Sequence, residues 1–195
     1  MNTFRKRVFT PVELIKRVSL ATIYLPVLTR GLIKPTTSPQ LREKVMLAVT
    51  SVNDCRYCSW AHTHLALNNG VDLEEVNQIL SHGGYEAASE KDAAAILFAQ
   101  HYADTNGAIE KDALETLKTH FTTAQILELK SYIHAIYIGN LSGNTFDALL
   151  ARLKGKKVEG SSLWFELLCS IITAPALILI MRSARKDKKI TLDAL

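Results

Sequence analysis

Apolar residues recur along this chain at the three-to-four-residue spacing of a helix face, and most of these runs open behind a capping residue. Thr10-Pro11-Val12-Glu13 reads as an N-cap, a proline at the first helical position and a capping-box glutamate, opening a helix to about Arg30. Lys34-Pro35-Thr36-Thr37 reads as a loop, and Ser38-Pro39 opens a second helix to about Val52. Asn53-Asp54 breaks that helix, and Asp54 is placed to cap a third, which ends before Gly70. Asp72 with Glu75 opens a short helix that stops at Gly83-Gly84, and Ser89 with Asp92 opens the next, to about Asp104. After the Asn106-Gly107 turn a short helix covers about 110–120, and Thr122 with Gln125 caps a long one to about Leu153. Lys154-Gly155-Lys156-Lys157-Val158-Glu159-Gly160 reads as a polar linker before a last helix, Leu163 to about Arg185, with Pro175 predicted to kink it. No convincing strand interrupts the series, so the predicted fold class is all-α.

At 195 residues and 48% apolar composition, the chain is long and greasy enough for one cored domain with appendages, and general disorder is excluded. The pattern divides into a basic helix and loop (1–37), a helical body (38–153), and a linker, apolar helix and basic tail (154–195). Three cysteines are too few for the disulfide framework of a small secreted domain. The basic N-terminus is not followed directly by an apolar run with a cleavage site, so a cytoplasmic, reducing setting is expected. The formal charge of +4 is unevenly spread: net +6 over residues 1–40, −4 over 41–160 and +2 over 161–195. An acidic body between basic ends argues against nucleic acid as a partner. Basic ends beside apolar segments suit either solvent or an anionic membrane surface.

The candidate chemistry lies between Glu43 and His62. Cys55 and Cys58 are three residues apart near a predicted helix start, on one face and within reach of disulfide closure. The helix dipole there favours a thiolate. His62 follows Cys58 by four residues, which puts an imidazole beside the second sulfur. Glu43 falls on the preceding helix, whose two apolar stripes (Met46 and Leu47 on its own side, Val45 and Val49 on the other) predict burial. It is either a buried acid marking a site or a surface carboxylate in the Arg42-Glu43-Lys44 triplet.

Glu43 followed by Cys55-x-x-Cys58-x-x-x-His62 resembles the alkylhydroperoxidase AhpD branch of the carboxymuconolactone decarboxylase-like family. Val52-Asn53-Asp54-Cys55-Arg56-Tyr57-Cys58 with Ala61-His62 is similar to that family's signature, and the resemblance covers about 38–105. It extends more loosely to about 153 and not beyond. The resemblance implies an all-α fold, assembly as trimers or hexamers, and a peroxidase cycle that needs no metal or other cofactor. Carried over, Cys58 is oxidised by a hydroperoxide to the sulfenic acid, Cys55 closes the disulfide, His62 and Glu43 relay protons, and a dithiol or protein reductant reopens the pair. AhpD members often have a histidine between the cysteines; here it is Tyr57, an auxiliary hydrogen-bond donor but a poor base near neutrality. The name-giving decarboxylases lack the cysteine pair.

Other readings stay open at this stage. Cys55, Cys58, His62 and His64 evoke zinc, but the two histidines diverge by about 200° on one helix. The cysteines also fit as core filler, and the chain as a non-catalytic or membrane-associated module retaining the fold. His82 reads as a helix C-terminal residue; His101, His120 and His134 read as surface or satisfied core positions, and Cys169 as apolar filler. The stretch from Leu167 to Met181 carries no charge and is followed by Arg182, Arg185, Lys186, Lys188 and Lys189. It fits a helix buried against neighbouring subunits, an interfacial anchor, or a short span, of which burial is the expected one.

Overall fold

A computed structural model describes residues 3–81 and 88–186. The expected stop at Gly83-Gly84, His82, and Lys188 and Lys189 of the tail lie outside the described residues. Eight helices follow one another among the described residues: α1 (Pro11–Ile33), α2 (Pro39–Asn53), α3 (Arg56–Asn68), α4 (Leu73–Leu80), α5 (Glu90–Asp104), α6 (Lys111–His120), α7 (Thr123–Leu153) and α8 (Leu163–Lys186). The fold is all-α. One exception escapes sequence reading: β1 (Thr3–Phe4) pairs in parallel with β2 (Lys157–Val158), within the stretch expected to be linker. A two-residue strand has no period to detect; it forms because Val158 packs with Phe4 and Val8 against Ala148 and Ala151 of α7.

The caps form largely as their residue types require. Thr10, Ser38, Ser89 and Thr122 each accept a backbone N–H three residues on, and Thr122 with Gln125 completes a reciprocal capping box. Asp72 makes no side-chain cap bond. Glu75, its expected partner, turns inward to Lys44 at 2.6 Å, and Asp92 meets the same ammonium at 2.8 Å. The buried Lys44 thus ties α2 to α4 and α5; burial opposes its charge, but the two carboxylates prevail and its pKa is raised.

The 31-residue α7 is the axis on which α1, α2 and α8 pack, with α3 against its second half. Gly31 allows α1 to press against it: a Cβ there would stand 2.8 Å from the Tyr132 hydroxyl. At the same crossing, Glu128 accepts the backbone N–H and hydroxyl groups of Thr36 and Thr37, fixing the loop that aims α2.

Beneath α1 the guanidinium of Arg17, 1% exposed, donates to Glu13 and Asn106 and lies 3.7 Å over the Tyr137 ring. Tyr102, which also meets Arg17, places its hydroxyl 3.3 Å from Nδ1 of His134. His134 is therefore a satisfied core histidine. Burial, then the charges of Arg17 and Lys130, push it down to about 4. Between its ordinary value of 6.5 and about 4 the unfolded chain binds a proton that the folded chain refuses, so stability falls as pH falls through that window. Denaturant unfolding across it should show this slope, and His134→Gln should flatten it by about one proton's worth.

Candidate functional site

The two sulfurs are placed by the junction between α2 and α3. Asp54 was expected to cap α3, but it adopts the left-handed conformation (φ 54°, ψ 49°) and closes α2, its N–H bonding the Thr50 carbonyl. An N-cap needs extended backbone, so the role passes to Cys55 (φ −95°, ψ 101°), which is not the first helical residue but the cap itself. Its Sγ accepts the Cys58 N–H at 3.4 Å. The Asp54 carboxylate instead pairs with Lys6 at 3.0 Å.

Cys55 and Cys58 are buried free thiols with their sulfurs 2.8 Å apart. Closing a disulfide to about 2.05 Å requires a movement under about 1 Å. Cys55 is fully buried, whereas Cys58 keeps 8% of its surface. The hydrogen bond with Cys55, then burial, hold the Cys58 proton on well above the ordinary thiol range. The N–H at the cap is spent on Cys55, so the start of the helix does not offset the burial of Cys58.

His62 lies one turn further along α3. Nδ1 of His62 stands 2.7 Å from Oε2 of Glu43, while Oε1 accepts from Nε of Arg42 at 2.8 Å. Glu43 is 1% exposed, so the surface-carboxylate reading is wrong. Burial raises its carboxyl, but the hydrogen bonds and charges of His62 and Arg42 outweigh that and hold it below the usual carboxylate range. An ionised Glu43 receiving Nδ1–H leaves the Nε2 lone pair as the proton acceptor. The structure thus brings Glu43 and His62 together, and the two cysteines together, on adjacent helices. His64 faces elsewhere, its ring centroid 4.5 Å from that of Trp60.

The Tyr57 ring lies beside Cys55 at Gly143, but its hydroxyl is engaged elsewhere. Its hydroxyl donates to Asp147 at 2.5 Å beside Arg56, which meets the same carboxylate at 2.6 Å. Burial and Asp147 raise the phenol's pKa far beyond its ordinary value. Its place is structural, fastening the start of α3 to α7.

Sequence reasoning missed the α7 wall behind the sulfurs. Gly139 and Gly143 lie one turn apart there; a Cβ would come 3.8 Å from Cys58 Sγ at the first and 2.7 Å from Cys55 Sγ at the second. Two glycines four apart inside a long apolar helix cost helix stability, and that was the available signal. Between and beside them, buried Asn140 accepts from Thr50, and Asn144 donates to the Asn53 carbonyl at the end of α2. Gly143→Ala should displace Cys55 and the Tyr57 ring and cost about 1–3 kcal/mol, read by denaturant unfolding.

Two solved structures are similar in fold. An uncharacterized peroxidase-related protein from Silicibacter sp. TM1040 aligns over 61% of this chain and 63% of its own length, at 19% identity and a TM-score of 0.50, so the chain spans less than two thirds of that relative. A cysteine-to-alanine variant of the debrominase Bmp8, in complex with 2,3,4-tribromopyrrole, aligns over 84% of this chain and 79% of its own at 14% identity and a TM-score of 0.52. No curated protein matches the sequence. The carboxymuconolactone decarboxylase family matches residues 24–101, a segment that runs from within α1 through α5 and holds Glu43, both cysteines and His62. That matched segment, about two fifths of the chain, is similar to the carboxymuconolactone decarboxylase family.

Proposed function

We propose that this protein reduces hydroperoxides by thiol–disulfide chemistry at Cys58 and Cys55, with His62 and Glu43 moving the protons. The observation that carries this reading is the junction of two free thiols 2.8 Å apart with a buried carboxylate–imidazole pair on the same two helices. The resemblance to AhpD proteins and the fold likeness to a peroxidase-related protein support it.

His62 Nε2 takes the Cys58 proton, and the thiolate attacks the outer oxygen of the hydroperoxide. The O–O bond breaks, Cys58 becomes the sulfenic acid, and the leaving alkoxide takes a proton from the relay to depart as alcohol. The Cys55 thiol then attacks Cys58 sulfur: the S–S bond forms, hydroxide leaves, and with the Cys55 proton it departs as water. A dithiol or protein reductant reopens the bridge by exchange, delivering two electrons and two protons to restore both thiols and leaving as its own disulfide.

Thiol titration of the denatured protein tests this. Three free thiols are expected before treatment, since all three cysteines are free, and one after an equivalent of organic hydroperoxide. Retention of all three would favour a non-catalytic module in which the cysteines fill the core.

A further inference from the structure

We propose that the outward face of α8 lies flat against an anionic lipid surface. Among the described residues, Leu163–Ala184 is the one helix long and apolar enough to cross a bilayer. It is nonetheless fastened to the domain along one side. Glu166, fully buried, receives both the Nε and a terminal nitrogen of Arg152, at 2.9 and 2.8 Å, and Cys169, Ser170, Leu177 and Ala184 are buried behind it. Crossing a bilayer would tear Glu166 from Arg152 and carry it into hydrocarbon, so the helix stays on the domain and in the plane of the surface.

The opposite side is bare. Trp164, Leu168, Ile171, Ile172, Ile178 and Leu179 form the exposed stripe, with Trp164 82% and Ile172 76% exposed. From Leu163 to Leu179 no exposed side chain is polar, whereas protein interfaces carry about one hydrogen bond per 100–200 Å². The stripe runs about 25 Å at 1.5 Å per residue. Aromatic at its start, it ends at exposed Arg182, and the sequence continues with Arg185, Lys186, Lys188 and Lys189 around the single acid Asp187.

Charge decides between lipid and a second copy of the chain. Glu166, the one acid between Leu163 and Arg182, is buried and neutralised, so the exposed face offers apolar and positive groups alone. α1 also exposes Val12, Ile15, Ile23 and Ile33 with Lys16 and Arg30, interspersed with Ser19, Thr22 and Thr29. A second α8 packed in parallel would set Arg182 against Arg182, and one packed antiparallel would offer neither arginine an acid on the facing surface. Anionic headgroups complement them, at about 1 kcal/mol per basic residue near the surface. The net charge of −4 over residues 41–160 is repelled by such a surface, which orients the domain with its basic ends inward.

The test is vesicle flotation of the full-length protein, with its mass in solution read by light scattering. Vesicles of phosphatidylcholine with about one-third phosphatidylglycerol should bind the chain at least about ten-fold more tightly than phosphatidylcholine alone. Ile171→Glu with Ile172→Glu, and separately Arg182→Glu with Arg185→Glu, should each weaken binding about ten-fold or more while leaving the melting temperature unchanged. The proposal is overturned if the wild type floats with neither vesicle, if it binds both equally, or if the charge reversals have no effect. It is also overturned if the wild type is an oligomer that the isoleucine pair dissociates without altering vesicle binding, since a second copy then covers the face.

Discussion

Cys58→Ser is expected to abolish hydroperoxide turnover, whereas Cys55→Ser should stop after one oxidation and accumulate a sulfenic acid on Cys58 that a dimedone-type trap captures. Cys58 is the attacked sulfur in this account because it retains surface and sits four residues before His62, whereas Cys55 is fully enclosed against Gly143. With the Cys58 proton held above the ordinary thiol range, the single-turnover oxidation rate should keep climbing with pH through the ordinary value near 9. Trapping the sulfenic acid on Cys55 in the Cys58→Ser protein would reverse the roles. Steady turnover by Cys55→Ser with a dithiol would remove the need for an internal bridge.

The second large effect concerns the relay. Glu43→Gln and His62→Ala should each slow turnover by about 10²-fold, the low end of general acid–base assistance. The double variant should be little worse than the slower single one, because the carboxylate acts through the imidazole it orients at 2.7 Å. Glu43→Gln keeps a hydrogen-bonding group of the same size, so lost rate with preserved melting temperature separates relay from packing. Multiplying losses would mean that the two residues act independently and that Glu43 serves the fold. Because Glu43 titrates below the ordinary carboxylate range, its share of the rate should survive acidification until below about pH 4.5.

The helices could be read from the chain because caps and apolar periods are local: Thr10, Ser38, Ser89 and Thr122 act within three residues of themselves. The site residues could be read for a similar reason, since Cys55, Cys58 and His62 lie within two turns of one helix. What escaped depends on partners about ninety residues away. Tyr57 is claimed by Asp147, and Thr50 by Asn140. The α7 glycines make room for sulfurs of α3 that no local pattern announces. Asp54 fitted a cap by residue type, and only the left-handed turn that joins α2 to α3 moved that role to Cys55. α8 is the opposite case: its apolar run was plain, but only the fold separates a buried side pinned by Glu166 from a bare one.

The most direct measurement of the central claim is steady-state consumption of an organic hydroperoxide by the wild-type chain, with small dithiols as the sole reductants. The account predicts many turnovers per protein, one dithiol oxidised for each hydroperoxide reduced, and an intermediate carrying a Cys55–Cys58 bridge when the dithiol is withheld. Consumption no faster than that of the Cys58→Ser protein, with every dithiol supplied and both thiols intact, would contradict it.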